Sequence, residues 1–159
     1  MSSDVAAGVV HKDLTVAAAS YAANHTSIFI QCTNDLFEKY YNNLEIDFSK
    51  WLDSAQDVKA FTKIVPRLGF FLEYKSEDNL LRSYYPDFIL KTGDGHYLVE
   101  TKGLKGTEVE YKDKRAVQWG KDATKLTGKK WSFIRVNQDQ FYELSSKTNS
   151  FKELVSVIK

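Results

Sequence analysis

Tyr84-Tyr85-Pro86-Asp87-Phe88-Ile89-Leu90, a turn over residues 91–95, and His96-Tyr97-Leu98-Val99-Glu100-Thr101-Lys102-Gly103 form the stretch that decides the fold. Both halves are rich in aromatic and aliphatic residues and read as strands. Thr92-Gly93-Asp94-Gly95 between them carries the Asp-Gly chemistry of a hairpin turn. Side chains two apart on a strand share a face, so Glu100 and Lys102 project together. Asp87 lies across the hairpin, where its carboxylate can meet that of Glu100. Pro86 lacks an N–H and suits a strand edge or distortion just before Asp87.

Outward from the hairpin, Leu68 to Tyr74 reads as a strand, Glu77-Asp78-Asn79 as a turn, and 82–90 as a second strand. Thr33 or Asn34 caps an expected helix through Leu36, Phe37, Tyr40, Tyr41 and Leu44. A second helix is expected from near Ser49, carrying Trp51, Leu52, Val58 and Phe61 until Pro66 stops it. After the hairpin come a helix over 109–126, ended by Thr127-Gly128, and a strand over 131–136. A short element over 141–144 and a helix over 151–158 follow. The helix between the strands at 97–102 and 131–136 is a crossover, which makes those strands parallel. The expected fold class is α/β, a mixed sheet of four to five strands flanked by helices. Residues 1–32 read as an N-terminal extension or docking element, and 33–159 as the domain proper.

A chain of 159 residues fits one domain. With 43% hydrophobic and 27% charged residues it has a globular composition, not a disordered one. The net charge of +1 does not by itself point to nucleic acid. The distribution does more: between Lys102 and Arg135 ten cations stand against four anions, a surplus of six. Such a segment is either a solvated helix face or a phosphate-contacting surface. Cys32 is the one cysteine, so no intrachain disulfide forms and a reducing compartment, the cytoplasm, is expected. No apolar run approaches the roughly 20 residues of a membrane span, and no basic region followed by an apolar core marks a signal peptide.

Charged side chains at the end of an apolar strand are costly to bury unless paired or metal-bound. Two carboxylates brought together repel, and a hard cation relieves that repulsion. Asp87 and Glu100 are therefore candidate ligands for Mg2+, with Mn2+ able to substitute, and the backbone carbonyl of Thr101 is a candidate third ligand. Lys102 is placed to orient or deprotonate a metal-bound water, or to stabilise charge on a phosphate. The bland alternative is a Glu100–Lys102 surface ion pair with Asp87 an ordinary strand-end residue. Lys114 and Gln118 lie four apart on one helix face, and Lys105 sits in the loop after the hairpin. All three are candidate contacts to a DNA backbone, or members of a solvated face.

Pro86-Asp87 followed by Glu100-Thr101-Lys102 resembles the PD-(D/E)xK nuclease superfamily. Tyr85-Pro86-Asp87-Phe88-Ile89 with Val99-Glu100-Thr101-Lys102-Gly103, and Lys114-Arg115-Ala116-Val117-Gln118-Trp119 after it, is similar to the C-terminal endonuclease domain of the restriction subunit of Type III restriction enzymes. The resemblance spans about residues 35–145. It implies a restriction-endonuclease-like fold and Mg2+-dependent cleavage of DNA, with Asp87, Glu100 and Lys102 catalytic. It also implies a further acidic residue from an early helix, for which Glu38 is the best match and Asp53 and Asp57 weaker ones. No G-x-x-x-x-G-K-[ST] occurs here, whereas the full Type III subunit carries a motor. Motor and specificity functions would then belong to a module outside this chain, and cutting both strands would need two copies.

Two other readings stand beside this one. A structure-specific repair or recombination nuclease would use the same residues, and cleavage of flaps and junctions against linear duplex separates the two. A degenerate nuclease fold serving as a DNA-binding or assembly module would bind no metal. His11, His25 and His96 have no cysteine partners at zinc spacing, and His96, beside the turn, is expected to be exposed. Trp51, Trp119 and Trp131 are expected in the core.

Overall fold

The computed structural model describes residues 42–102 and 106–158. The extension over 1–32, the start of the first expected helix, Glu38 and Lys105 lie outside the described residues. Helix α1 (Asn43–Ser54) leads into strand β1 (Val58–Lys63), and a single 3-10 turn (Pro66–Leu68) follows. Strands β2 (Leu72–Lys75), β3 (Leu81–Tyr84), β4 (Phe88–Thr92) and β5 (His96–Lys102) come next. Helix α2 (Thr107–Thr127), strand β6 (Trp131–Asn137) and helices α3 (Gln138–Ser145) and α4 (Phe151–Ile158) follow among the described residues.

The protein is a mixed α/β structure. Four strands form one sheet in the order β1-β4-β5-β6, and β2 and β3 form a separate antiparallel ribbon. β4 runs antiparallel to β1 and β5, while β5 and β6 are parallel, as the α2 crossover requires. The turn between β4 and β5 is closed by the Thr92 N–H donating to the Gly95 carbonyl at 2.8 Å.

Strand alternation sorts the core into two layers. Phe88 and Leu90 of β4, with Tyr97 and Val99 of β5, pack on Phe48, Leu52, Phe141, Phe151 and Leu154 from α1, α3 and α4. Ile89 and Leu98 face the other way, onto Ala116, Trp119 and Ala123 of α2 and onto the β2–β3 ribbon. The sheet is thus covered on both sides. Trp51, Trp119 and Trp131 are all buried, as the sequence suggests.

Three expectations change. The helix expected from near Ser49 starts at Asn43, and Val58 and Phe61 belong to the strand after it. Ala60 through Lys63 are buried in succession, and a register shift lies between Val58 and Ala60, so the segment shows no clean alternation to mark it as β. The expected strand from Leu68 is shorter, because Gly69 at φ 67° ends the 3-10 turn and β2 starts only at Leu72. The expected strand over 82–90 breaks at Tyr85-Pro86, so β3 pairs with β2 while β4 joins the main sheet. The hairpin is therefore part of a four-stranded sheet that the 72–75 strand does not join.

Candidate active site

Asp87 sits at the break between β3 and β4, and its backbone is held from both sides. Its N–H donates to the Val99 carbonyl at 3.0 Å, and its carbonyl accepts from the Ile64 N–H at 2.8 Å. Its side chain is fixed by β5: Thr101 donates to Oδ2 through its N–H at 2.7 Å and its hydroxyl at 2.8 Å. Thr101 thus acts on Asp87 through two donors. The arrangement turns the Asp87 carboxylate toward the C-terminal end of β5, where Glu100 and Lys102 lie.

Glu100 is 8% exposed, on the Leu98 face of β5. The Tyr84 hydroxyl donates to its Oε2 at 2.8 Å. Arg135 of β6, its register partner, brings NH1 to 4.0 Å from Oε1. Arg135 is in turn gripped by Asp113 of α2, with Nε donating to Oδ2 at 2.8 Å and NH2 donating to Oδ1. Burial first, and the nearby Asp87 charge second, push the Glu100 carboxyl up to about 7. Burial and the adjacent Glu100 carboxylate push the Tyr84 hydroxyl well above the usual phenol range, so it remains a donor.

A third carboxylate approaches from α1. Asn42 and Glu45 form a capping box: Asn42 Oδ1 accepts from the Glu45 N–H at 2.9 Å, and Glu45 Oε2 accepts from the Asn42 N–H at 3.2 Å. That reciprocal pair fixes the Glu45 side chain. Lys63, at the end of β1, places Nζ 2.8 Å from Glu45 Oε2 and 3.5 Å from Asp87 Oδ1. Burial and the Asp87 charge also raise the Glu45 carboxyl, which Lys63 partly offsets.

An open cavity of about 610 Å³ is lined by Glu45, Asp87, Glu100, Thr101, Lys102, Gln138 and Tyr142, among others. The structure therefore brings Asp87, Glu100, Thr101 and Lys102 into one place. Lys114 and Gln118 line a different cavity of about 730 Å³, along α2, with Arg135 and Asn137. Within it Lys114 pairs with Glu110 at 2.6 Å, and Gln118 donates to Asp122 at 2.9 Å. The two cavities flank the paired C-terminal ends of β5 and β6, since Lys102 lines one and its partner Asn137 the other.

Two weaker acidic candidates fall away. Asp53 is exposed on α1. Asp57 caps α4, accepting from the Phe151 N–H at 2.7 Å and the Lys152 N–H at 2.9 Å. His96 is buried and stacked on Trp131 at 4.7 Å, contrary to the exposed position its turn suggests.

Glu45, Lys63, Tyr84 and Arg135 also reach the cluster, although the motif of Asp87, Glu100 and Lys102 does not single them out. The Asn42-x-x-Glu45 spacing before an apolar helix is a legible capping box. Arg135 shares strand parity with Trp131 and Phe133, a charge on an apolar face that calls for a buried partner. Tyr84 and Lys63 carried no comparable signal.

The donor set suits a hard cation. Among the described residues no group of three or more His, Cys, Asp or Glu side chains forms a ready metal cage. Asp87 and Glu100 offer two carboxylates, and Mg2+ typically binds through one or two such groups while keeping several waters. Burial first and the Asp87 charge second raise the Glu100 carboxyl, and a divalent ion would relieve the second of these.

Fold and site together define a mixed α/β protein with a buried carboxylate cluster and a lysine at the end of its central strand pair. No protein-family model matches this sequence, and comparison with curated proteins and with solved structures gave no match. Among the described residues no helix is long and apolar enough to cross a membrane.

Proposed function

We propose that this chain is a metal-dependent endonuclease domain that hydrolyses DNA phosphodiester bonds, on a restriction-endonuclease-like fold. The observation that carries the reading is the convergence of Asp87, Glu100, Thr101 and Lys102 on one cavity, from a strand break and a strand end that the sequence motif had paired. Asp87 and Glu100 are the residues that would hold Mg2+, with the Thr101 carbonyl as a candidate third ligand. Bound there, the ion supplies a nucleophilic water at neutral pH and neutralises phosphate charge.

The chain's own residues do the rest. Thr101 fixes the Asp87 carboxylate through two hydrogen bonds. Tyr84 donates to Glu100 Oε2, and Arg135 sets its guanidinium near Oε1. Lys102, half-buried at the cavity edge, is positioned to orient the attacking water and to meet the charge that develops on the phosphate. The α2 face with Lys114 and Gln118 offers a seat for the DNA backbone, and Lys105 is proposed to extend it. Target choice and any motor are assigned to a partner module, and double-strand cleavage to two copies.

The test is nicking of supercoiled plasmid in Mg2+ by the wild type and by Asp87→Ala. The wild type is expected to relax the plasmid, and Asp87→Ala to lose that activity while keeping its circular-dichroism spectrum. Full activity in the variant would sink the proposal.

A further inference from the structure

Lys63 is the unusual cation of the site. Lysine is seldom buried without a partner, and Lys63, 7% exposed at the end of β1, has carboxylates beside it. Its ammonium stands between two carboxylates, 2.8 Å from Glu45 and 3.5 Å from Asp87. Neither end of this arrangement is loose. Glu45 is fixed by the capping box at the start of α1, and Asp87 by the two donors of Thr101. A divalent ion shared by Glu45 and Asp87 would need the volume and the charge position that the ammonium already fills.

Resting on the proposed metal-dependent activity, we propose that Lys63 serves as a built-in substitute for a second metal ion. The site then takes a single divalent cation, on the Asp87–Glu100 side of the cavity. Glu45 acts as the counter-charge that holds Lys63, and is not a ligand of the bound ion. Lys63 is a positioning residue: it balances Glu45 and Asp87 and leaves the second oxygen face of the cluster to its partners. Replacing the ammonium by a neutral side chain opens the Glu45–Asp87 gap, and a second divalent ion becomes the natural occupant.

The experiment is a Mn2+ titration of the chain followed by electron paramagnetic resonance of free Mn2+, with thermal melts of the same samples. Wild type is expected to bind one Mn2+, Lys63→Arg one, and Lys63→Gln two. Lys63→Gln is also expected to melt lower than wild type without metal and to recover when Mn2+ is added. Two ions on wild type overturn the proposal. So does a folded Lys63→Gln that still binds one, or an unfolded Lys63→Gln that Mn2+ fails to rescue. A wild type that binds none instead overturns the metal-dependent reading itself, so the two failures are told apart.

Discussion

The two ends of β5 are buried to similar degrees by opposite chemistry. At the N-terminal end His96 stacks on Trp131, and Trp131 meets Trp119 edge-on with ring centroids 5.1 Å apart. At the C-terminal end Glu100 and Thr101 are as buried as His96, but their neighbours are Asp87, Tyr84 and Arg135, with Lys63 on Asp87 in turn. The first end lowers the free energy of the fold by removing aromatic surface from water. The second raises it by crowding like charges in a poorly solvated place. A single strand thus anchors the domain at one end and holds strained chemistry at the other, where backbone ties to both neighbouring strands keep the charges in position.

Substitutions at the two ends should separate stability from activity. The largest stability effect is expected at the aromatic end: Trp131→Ala should cost about 3–5 kcal/mol by the usual scale for buried aromatics. Urea unfolding of the variant measures it. If that change left the midpoint unmoved, the aromatic end would not be the anchor.

At the charged end the sign is reversed. Native Glu100 holds its proton up to about pH 7, against an ordinary value of 4.5. The folded state therefore binds more protons than the unfolded state across that window. Stability should fall as pH rises from 4.5 to about 7 and then level off, an effect on the order of 3 kcal/mol. Glu100→Gln keeps an acceptor for Tyr84 and removes the charge. It should flatten this part of the profile and leave the variant more stable than wild type at pH 8. Chemical denaturation at a series of pH values reads both curves, and parallel profiles would contradict the comparison.

The smallest effect is expected away from both ends. Lys114 is exposed and pairs with Glu110 four residues away, so Lys114→Ala should leave the melting temperature where it is. If α2 seats the DNA backbone, the same change should lower the salt dependence of DNA binding by about one counterion. Fluorescence anisotropy at several salt concentrations sharpens the distinction between a phosphate contact and a solvated face.

Much of the central unit was legible because its signals are local. The Asp-Gly turn fixes the β4–β5 hairpin, and a long amphipathic helix between two strands dictates the parallel β5–β6 pair. Asp87, Glu100 and Lys102 line one cavity because strand parity and one hairpin suffice to bring them together. Residues that reach the site from outside that unit were harder to see. Lys63 belongs to a segment whose Val58–Phe61 spacing mimics a helix, and it is buried on both sides as a strand. Glu45 was hidden because its role depends on where α1 docks, although its capping box was readable. Arg135 needed the register of β6 against β5 before its approach to Glu100 had meaning.

The central claim is that the charge crowding at the end of β5 is kept for catalysis. Its most direct test is Mg2+-dependent nicking of supercoiled plasmid at pH 8 by wild type and by Glu100→Gln, with the folded state of each checked in the same buffer. The predicted result is nicking by wild type and a loss of about two to three orders of magnitude in the variant, the scale seen when one key charge-stabilising group is removed. The contradicting result is a stable Glu100→Gln that nicks as fast as wild type, or a wild type with no Mg2+-dependent nicking.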